Sequence, residues 1–239
     1  MTAPGTTAAP ATTVAPATTV GILGGTFDPP HLAHLAVAEE AREVLGLRRV
    51  LFVPAGRPWQ KADRVLTPGP LRLALVERAI AGNPAFVLDA REVERKGPTY
   101  TVDTLRELAA EGANRDPWLI LSSEALAGFA TWREPEAVLH LARLCVAPRG
   151  DDPAAAVAAF RARFRVPAER LVVLDGPRLA ISSTEIRARV QAGRSIRYLV
   201  PDAVAALVAE YALYRAAATA DGASAPAPSP NPAPAPSDP

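Results

Sequence analysis

Gly21-Ile22-Leu23-Gly24-Gly25-Thr26-Phe27-Asp28-Pro29-Pro30-His31-Leu32-Ala33-His34 decides how the rest of the chain is read. Val20–Leu23 has the length and apolar content of a buried strand. Gly24 and Gly25 then form a turn whose backbone can approach a ligand closely. Pro29 and Pro30 prepare a helix start, where the first N–H groups have no helical partner. His31 and His34, three residues apart, share one face of that helix. The stretch predicts imidazoles and free backbone N–H groups directed at one small volume, a setting that suits an anionic phosphate.

The same spacing argues against three other readings. A dinucleotide fingerprint needs Gly-x-Gly-x-x-Gly after the first strand, and a P-loop needs Gly-Lys-Ser/Thr; neither is present. A zinc site would need a third and usually a fourth ligand, which no nearby Cys or His supplies.

Outward from this stretch, short apolar runs alternate with helical patterns. Strands are expected at Val20–Leu23, Val50–Pro54, Phe86–Asp89, Trp118–Leu121, Leu144–Ala147 and Leu171–Leu174. Helices are expected at His31–Leu47, Pro70–Ala81, Val102–Ala110, Ala154–Phe164, Ser183–Ala192 and Asp202–Ala216. His140 falls in an apolar helical pattern and reads as structural. Short apolar strands separated by helices predict an α/β, doubly wound, mainly parallel sheet with helices on both faces. Ligands of such sheets sit beyond the C-terminal ends of the strands. That rule puts the Gly24 turn, Pro54–Lys61, Ser122–Glu124 and Pro177–Ser183 on one rim.

Composition sets the limits of this domain. Residues 2–19 are almost wholly Ala, Thr and Pro, and proline fills half of the last fourteen positions. Such segments bury too little apolar surface to offset chain entropy, so 1–19 and 216–239 read as disordered tails around a domain at 20–215. The net charge of +1, with no basic block, argues against nucleic acid as a partner. No apolar run approaches the ~20 residues needed to span a bilayer, and the N-terminal segment lacks the pattern of a signal peptide. The single cysteine, Cys145, lies in an apolar run and reads as a buried free thiol in a reducing, cytoplasmic setting.

A second phosphate signature follows the sixth strand: Ile181-Ser182-Ser183-Thr184-Glu185-Ile186-Arg187. Ser182 and Glu185 have capping-box spacing. Three consecutive hydroxyls exceed what one cap needs. Arg187 stands within about a turn of a helix start, where the macrodipole disfavours a cation; a bound phosphate would remove that conflict.

Together, Gly24–His34 and Ile181–Arg187 resemble the HxGH nucleotidyltransferase superfamily. Lys96–Leu105 (KGPTYTVDTL), Thr131-Trp132 and the ending Tyr198-Leu199-Val200-Pro201 with Tyr211 to Tyr214 narrow the resemblance to bacterial nicotinate-nucleotide adenylyltransferases. It runs from about Val20 to Arg215. The resemblance implies transfer of the adenylyl group of ATP to nicotinate mononucleotide, giving deamido-NAD and pyrophosphate, with Mg²⁺ held mainly by the ATP phosphates. It implies that His31 and His34 stabilise the transition state. Gly24, Gly25, Thr26, Phe27, Lys61, Glu124, Ser183, Thr184 and Arg187 would contact ATP. Thr101 and the backbone N–H of Arg133 would hold the nicotinate carboxylate, with Trp132 stacked on the pyridine ring. A homo-oligomer is compatible with all of this.

Three positions depart from the family pattern. Ala33 stands where the family has glycine between its histidines. Ser122-Ser123-Glu124 replaces Gly-x-Asp, which lengthens the acidic reach towards the ribose. Trp59-Gln60-Lys61 replaces Pro-His-Lys. Two alternatives stay open at this point: an adenylyltransferase for nicotinamide mononucleotide or another phosphate acceptor, and a nucleotide-binding sensor that has lost catalysis.

Overall fold

Strands β1 (Val20–Gly25), β2 (Arg49–Pro54), β3 (Phe86–Leu88), β4 (Trp118–Ser122), β5 (Arg143–Ala147) and β6 (Leu171–Val173) all run parallel in one sheet. Their spatial order is β3-β2-β1-β4-β5-β6. This computed structural model describes residues 19–58, 65–112, 116–148 and 153–215. Lys61 and, apart from Thr19, the two compositionally biased segments lie outside those residues. The expected α/β doubly wound sheet is present. Its order reverses between β1 and β4, and it is at such a switch point that a cleft opens beyond the strand ends.

Period-two alternation builds the core on both faces. Val20, Ile22, Leu51, Val53, Leu119, Leu121, Leu144 and Val146 face one way. They pack against α4 (Thr101–Ala110), α6 (Pro135–Leu141) and α7 (Ala154–Arg163) through Val102, Leu105, Val138 and Phe160. Leu23, Val50, Phe52, Trp118, Ile120 and Cys145 face the other way. They pack on α1 (Leu32–Val44) and α2 (Gly69–Ile80) through Ala38, Ala41, Val76 and Ile80. Each fully buried side chain of this size contributes roughly 1.5–3 kcal/mol. Gly21 leaves room for Leu47 here: a Cβ on it would lie 2.8 Å from Leu47 Cδ1, and that side-chain tip would have to shift. Cys145 is buried, and desolvation pushes its thiol up to about 12.

A third cluster docks the C-terminal helices on α2. Ile186 of α8 (Ser183–Gln191), Val204, Leu207 and Val208 of α9 (Asp202–Glu210), and Ile196 and Val200 between them, pack with Leu75. This packing brings the end of the chain back to its beginning.

Several boundaries differ from expectation. β1 runs through Gly24 and Gly25, which pair with Val53 and Pro54, so the glycines close the strand rather than form a turn after it. α1 ends at Val44, because Gly46 turns left-handed (φ 61°) and Leu47 N–H donates back to Arg42 O. α9 stops at Glu210 rather than near Ala216, where Ala212 (φ 48°) and Tyr214 (φ 62°) take left-handed conformations. α3 (Arg91–Glu94) and α5 (Ser123–Ala127) are too short to show a helical period. α6 matches the apolar pattern around His140, but His140 itself is exposed and Val138 is the buried residue, so His140 carries no packing role.

Candidate active site

A cleft of about 590 Å³ opens at the switch point. Its walls include His31, His34, Gly24, Gly25, Thr26, Phe27, Glu124, Ser183, Thr184, Arg187, Thr101, Trp132 and Arg133. All site residues expected from sequence thus meet in one cavity, apart from Lys61, which lies outside the described residues. The volume is in the range of small-molecule sites.

The histidines hold each other in place. His31 is the N-cap of α1, and its backbone N–H donates to His34 Nδ1 at 3.2 Å, while its own side chain faces the His34 N–H. The rings stack with centroids 3.6 Å apart. Because His34 Nδ1 accepts, its neutral ring carries the proton on Nε2 and presents a donor there. Phe27 meets His34 edge-on, with centroids 4.9 Å apart, and is itself buried. The expectation of free amides at this helix start is met only at Ala33, whose N–H has no acceptor among the described residues and which borders the cleft. Leu32 N–H donates to Leu199 O and His34 N–H to His31 O, so α1 offers the cleft mainly its imidazoles.

The two glycines have separate roles. A Cβ on Gly24 would meet nothing within 4 Å, so open cleft lies above it. A Cβ on Gly25 would sit 3.1 Å from the Phe27 ring, so this glycine makes room for an internal side chain.

The second signature docks on the first. Ser182 caps α8 by accepting from Glu185 N–H at 3.1 Å. Ser183 Oγ donates to Pro29 O at 2.8 Å, and Arg187 donates to Asp28 O at 2.7 Å and to Thr184 Oγ1 at 3.2 Å. Each of the three hydroxyls therefore has an internal partner, and the carbonyl of Asp28 offsets the placing of Arg187 near a helix start. Ser183, Thr184 and Arg187 still border the cleft.

On the opposite wall, Thr101 is the first residue of α4, whose N-cap, Tyr100, makes no side-chain cap. Trp132 packs on Phe129 with ring centroids 5.0 Å apart and turns its remaining surface to the cavity. The Arg133 guanidinium lies 4.7 Å from the centroid of the Tyr100 ring. Behind them, Thr104 Oγ1 donates to Glu92 Oε1 at 2.7 Å, and burial pushes the Glu92 carboxyl up from its ordinary value. Among the described residues no group of three or more His, Cys, Asp or Glu side chains gathers as a metal site.

Residues 22–189 match the profile of the Cytidylyltransferase-like family. A protein of Roseiflexus sp. named "Probable nicotinate-nucleotide adenylyltransferase" is 46% identical over 198 residues, covering 82% of this chain and 98% of the relative. One of the same name from Herpetosiphon aurantiacus is 44% identical over 201 residues, with the same coverage. The chain belongs to the nicotinate-nucleotide adenylyltransferase family. Two solved structures share its fold, both of Plasmodium falciparum nicotinic acid mononucleotide adenylyltransferase. The complex with NaAD has a TM-score of 0.67 at 20% identity, covering 82% of this chain and 97% of that one. The complex with APC has a TM-score of 0.66 at 19% identity, covering 82% and 96%.

Of the three departures from the family pattern, Trp59-Gln60-Lys61 lies outside the described residues and the other two border the cleft. Ser122 is the N-cap of α5 and accepts from Ala125 N–H at 3.2 Å, a bond that glycine could not make. Glu124 sits in the first turn of that helix, at the cleft. Ala33 lies in the first turn of α1 and also borders the cleft.

Three residues of the site's frame have roles that the sequence does not give, although Asp28 and Tyr214 fall within the motifs that carry the resemblance. Asp28 is buried, accepting from Tyr214 OH at 2.7 Å and from Thr67 N–H at 3.3 Å. Tyr214 is thereby drawn to the first loop. Arg72 is buried on α2 and donates only to backbone carbonyls. Arg72 carries no sequence signal, because an arginine in a helix usually marks a solvated face.

Proposed function

We propose that this protein transfers the adenylyl group of ATP to nicotinate mononucleotide, producing deamido-NAD and pyrophosphate. One observation carries the reading: the Ser183–Pro29 and Arg187–Asp28 bonds join two sequence-distant phosphate signatures on the same cleft that Thr101, Trp132 and Arg133 line. The names of the relatives support it.

In this reaction a phosphate oxygen of the mononucleotide attacks the α-phosphorus of ATP. A new P–O–P linkage forms, the bond to the β-phosphate oxygen breaks, and pyrophosphate leaves. The attacking phosphate is already ionised at neutral pH, so no general base is required. The obstacle is bringing two polyanions together and stabilising charge at the α-phosphorus. His31 and His34 supply donors there, and Arg187 supplies fixed charge at the β- and γ-phosphates. Ser183, Thr184, Gly24, Gly25, Thr26, Phe27 and Lys61 complete the ATP contacts in this reading, with Glu124 at the ribose. Mg²⁺ enters as part of the ATP substrate, held by its phosphates. Cys145, a buried free thiol, fits a reducing, cytoplasmic setting.

Acceptor choice follows from donor chemistry. Thr101, the uncapped start of α4 and the Arg133 N–H offer donors, which suit a carboxylate; an amide would need acceptors as well. The test is pyrophosphate release with ATP, Mg²⁺ and equal concentrations of nicotinate and nicotinamide mononucleotides. Dominant formation of deamido-NAD is expected. Preference for the amide would overturn the acceptor assignment, and absence of pyrophosphate would overturn adenylyl transfer.

A further inference from the structure

Arg72 stands where the fold asks for an apolar side chain. Its neighbours on the same face of α2, at helical spacing, are the buried Leu75, Val76 and Ile80. Only 2% of Arg72 is exposed. Among the described residues no carboxylate lies within ion-pair distance of it. A buried charge without such a partner is costly. A leucine or methionine would fill the space without that cost, so packing alone does not account for the arginine.

Its donors show what it holds instead. Nε donates to Thr67 O at 3.0 Å, one terminal nitrogen to Thr26 O at 3.0 Å, and the other to Gly56 O at 3.2 Å. Thr26 follows β1, Gly56 follows β2, and Thr67 precedes α2. One guanidinium therefore ties three separate loops at the rim of the cleft. Thr67 extends the frame, since its N–H donates to Asp28 Oδ2.

The Thr26 bond sets a direction. In a trans peptide the carbonyl and the following N–H point opposite ways. With Thr26 C=O drawn to Arg72, the Phe27 N–H points away from α2. Among the described residues nothing accepts from that N–H, and Thr26 and Phe27 both border the cleft. Phe27 itself has φ 48°, a conformation that a bulky side chain keeps only when its surroundings impose it.

We propose that Arg72 is a positioning residue of the ATP site: by holding the carbonyls of Thr26, Gly56 and Thr67 it fixes the rim so that the Phe27 N–H is presented to the phosphates. This rests on the adenylyl-transfer reading above.

Arg72→Lys keeps the charge and most of the volume but loses the fork that reaches three carbonyls. Arg170→Lys is the control. Arg170 also binds two carbonyls, Leu139 O and Ala142 O, but precedes β6 at the opposite rim of the sheet. Both variants are compared with the unmodified protein for melting temperature, kcat, and KM for each substrate. Arg170→Lys should lower the melting temperature and leave the kinetics unchanged. Arg72→Lys should lower kcat by about 100-fold, the scale for losing one donor to a transition-state oxygen, and raise KM for ATP but not for nicotinate mononucleotide. A folded Arg72→Lys protein with unchanged kcat and KM for ATP would overturn the proposal. If that variant does not fold, Arg72→Gln, neutral but still a double donor, decides by the same measures. If the unmodified protein is inactive, the adenylyl-transfer reading fails separately. ATP affinity by titration calorimetry then decides the role of Arg72, and equal affinity with and without Arg72→Lys refutes it.

Discussion

The Tyr214 hydroxyl donates to Asp28 Oδ1 at 2.7 Å across 186 positions of sequence. Asp28 also accepts from Arg187 through its backbone carbonyl and from Thr67 N–H through its other carboxyl oxygen. The last turn of the domain is thereby fastened to the loop between β1 and the histidine pair. The left-handed turns at Ala212 and Tyr214 bring the phenol round to this contact.

Tyr214→Phe removes that donor and leaves a buried carboxyl oxygen short of a partner. The expected loss is about 1–3 kcal/mol of unfolding free energy, measured by urea denaturation at neutral pH. Burial, and then the bond to Asp28, hold the Tyr214 hydroxyl well above the ordinary tyrosine range. The folded-state value is the higher one, so above pH ~10 the unfolded chain loses a proton that the native state keeps. Stability from this group is complete below that pH and declines above it, by up to about 1.4 kcal/mol per pH unit. The Phe variant should lack this part of the alkaline decline. Identical alkaline curves would contradict the assignment.

Gly24→Ala and Gly25→Ala separate ligand clearance from internal packing. The new methyl at residue 24 enters open cleft, so melting should be unchanged while KM for ATP rises. At residue 25 the methyl presses on the Phe27 ring, and overpacking of this kind costs about 1–3 kcal/mol. Thermal melting alongside ATP kinetics checks both. A stable Gly25→Ala protein with normal kinetics would show that the ring can move aside.

His34→Ala removes a proposed donor and the acceptor of the His31 N–H together. Loss of one transition-state donor typically costs ~3–4 kcal/mol, a fall of more than 100-fold in turnover with ATP. Near-normal turnover would refute the role given to this imidazole.

Much of this was legible in the sequence, for identifiable reasons. Apolar runs such as Leu119–Leu121 and Leu144–Val146 are buried on both faces, and a strand of that kind announces itself. The proline and histidine spacing of Pro29–His34 marks the start of α1 and the shared face of the imidazole pair, and both are present. Other features depend on context. The reversal after α9 has no glycine to mark it, because Ala212 and Tyr214 are held left-handed by packing and by Asp28. Arg72 became a core residue only because three distant carbonyls converge on it. One of the free amides expected at α1, that of Leu32, is filled by Leu199 from the far end of the chain.

A crystal structure with a non-hydrolysable ATP analogue addresses the central relationship, the shared cleft between the histidine pair and the opening of α8. The triphosphate should lie between the imidazoles of His31 and His34 on one side and Ser183, Thr184 and Arg187 on the other. A nucleotide bound outside this cleft, or with its phosphates turned away from both groups, would contradict the account.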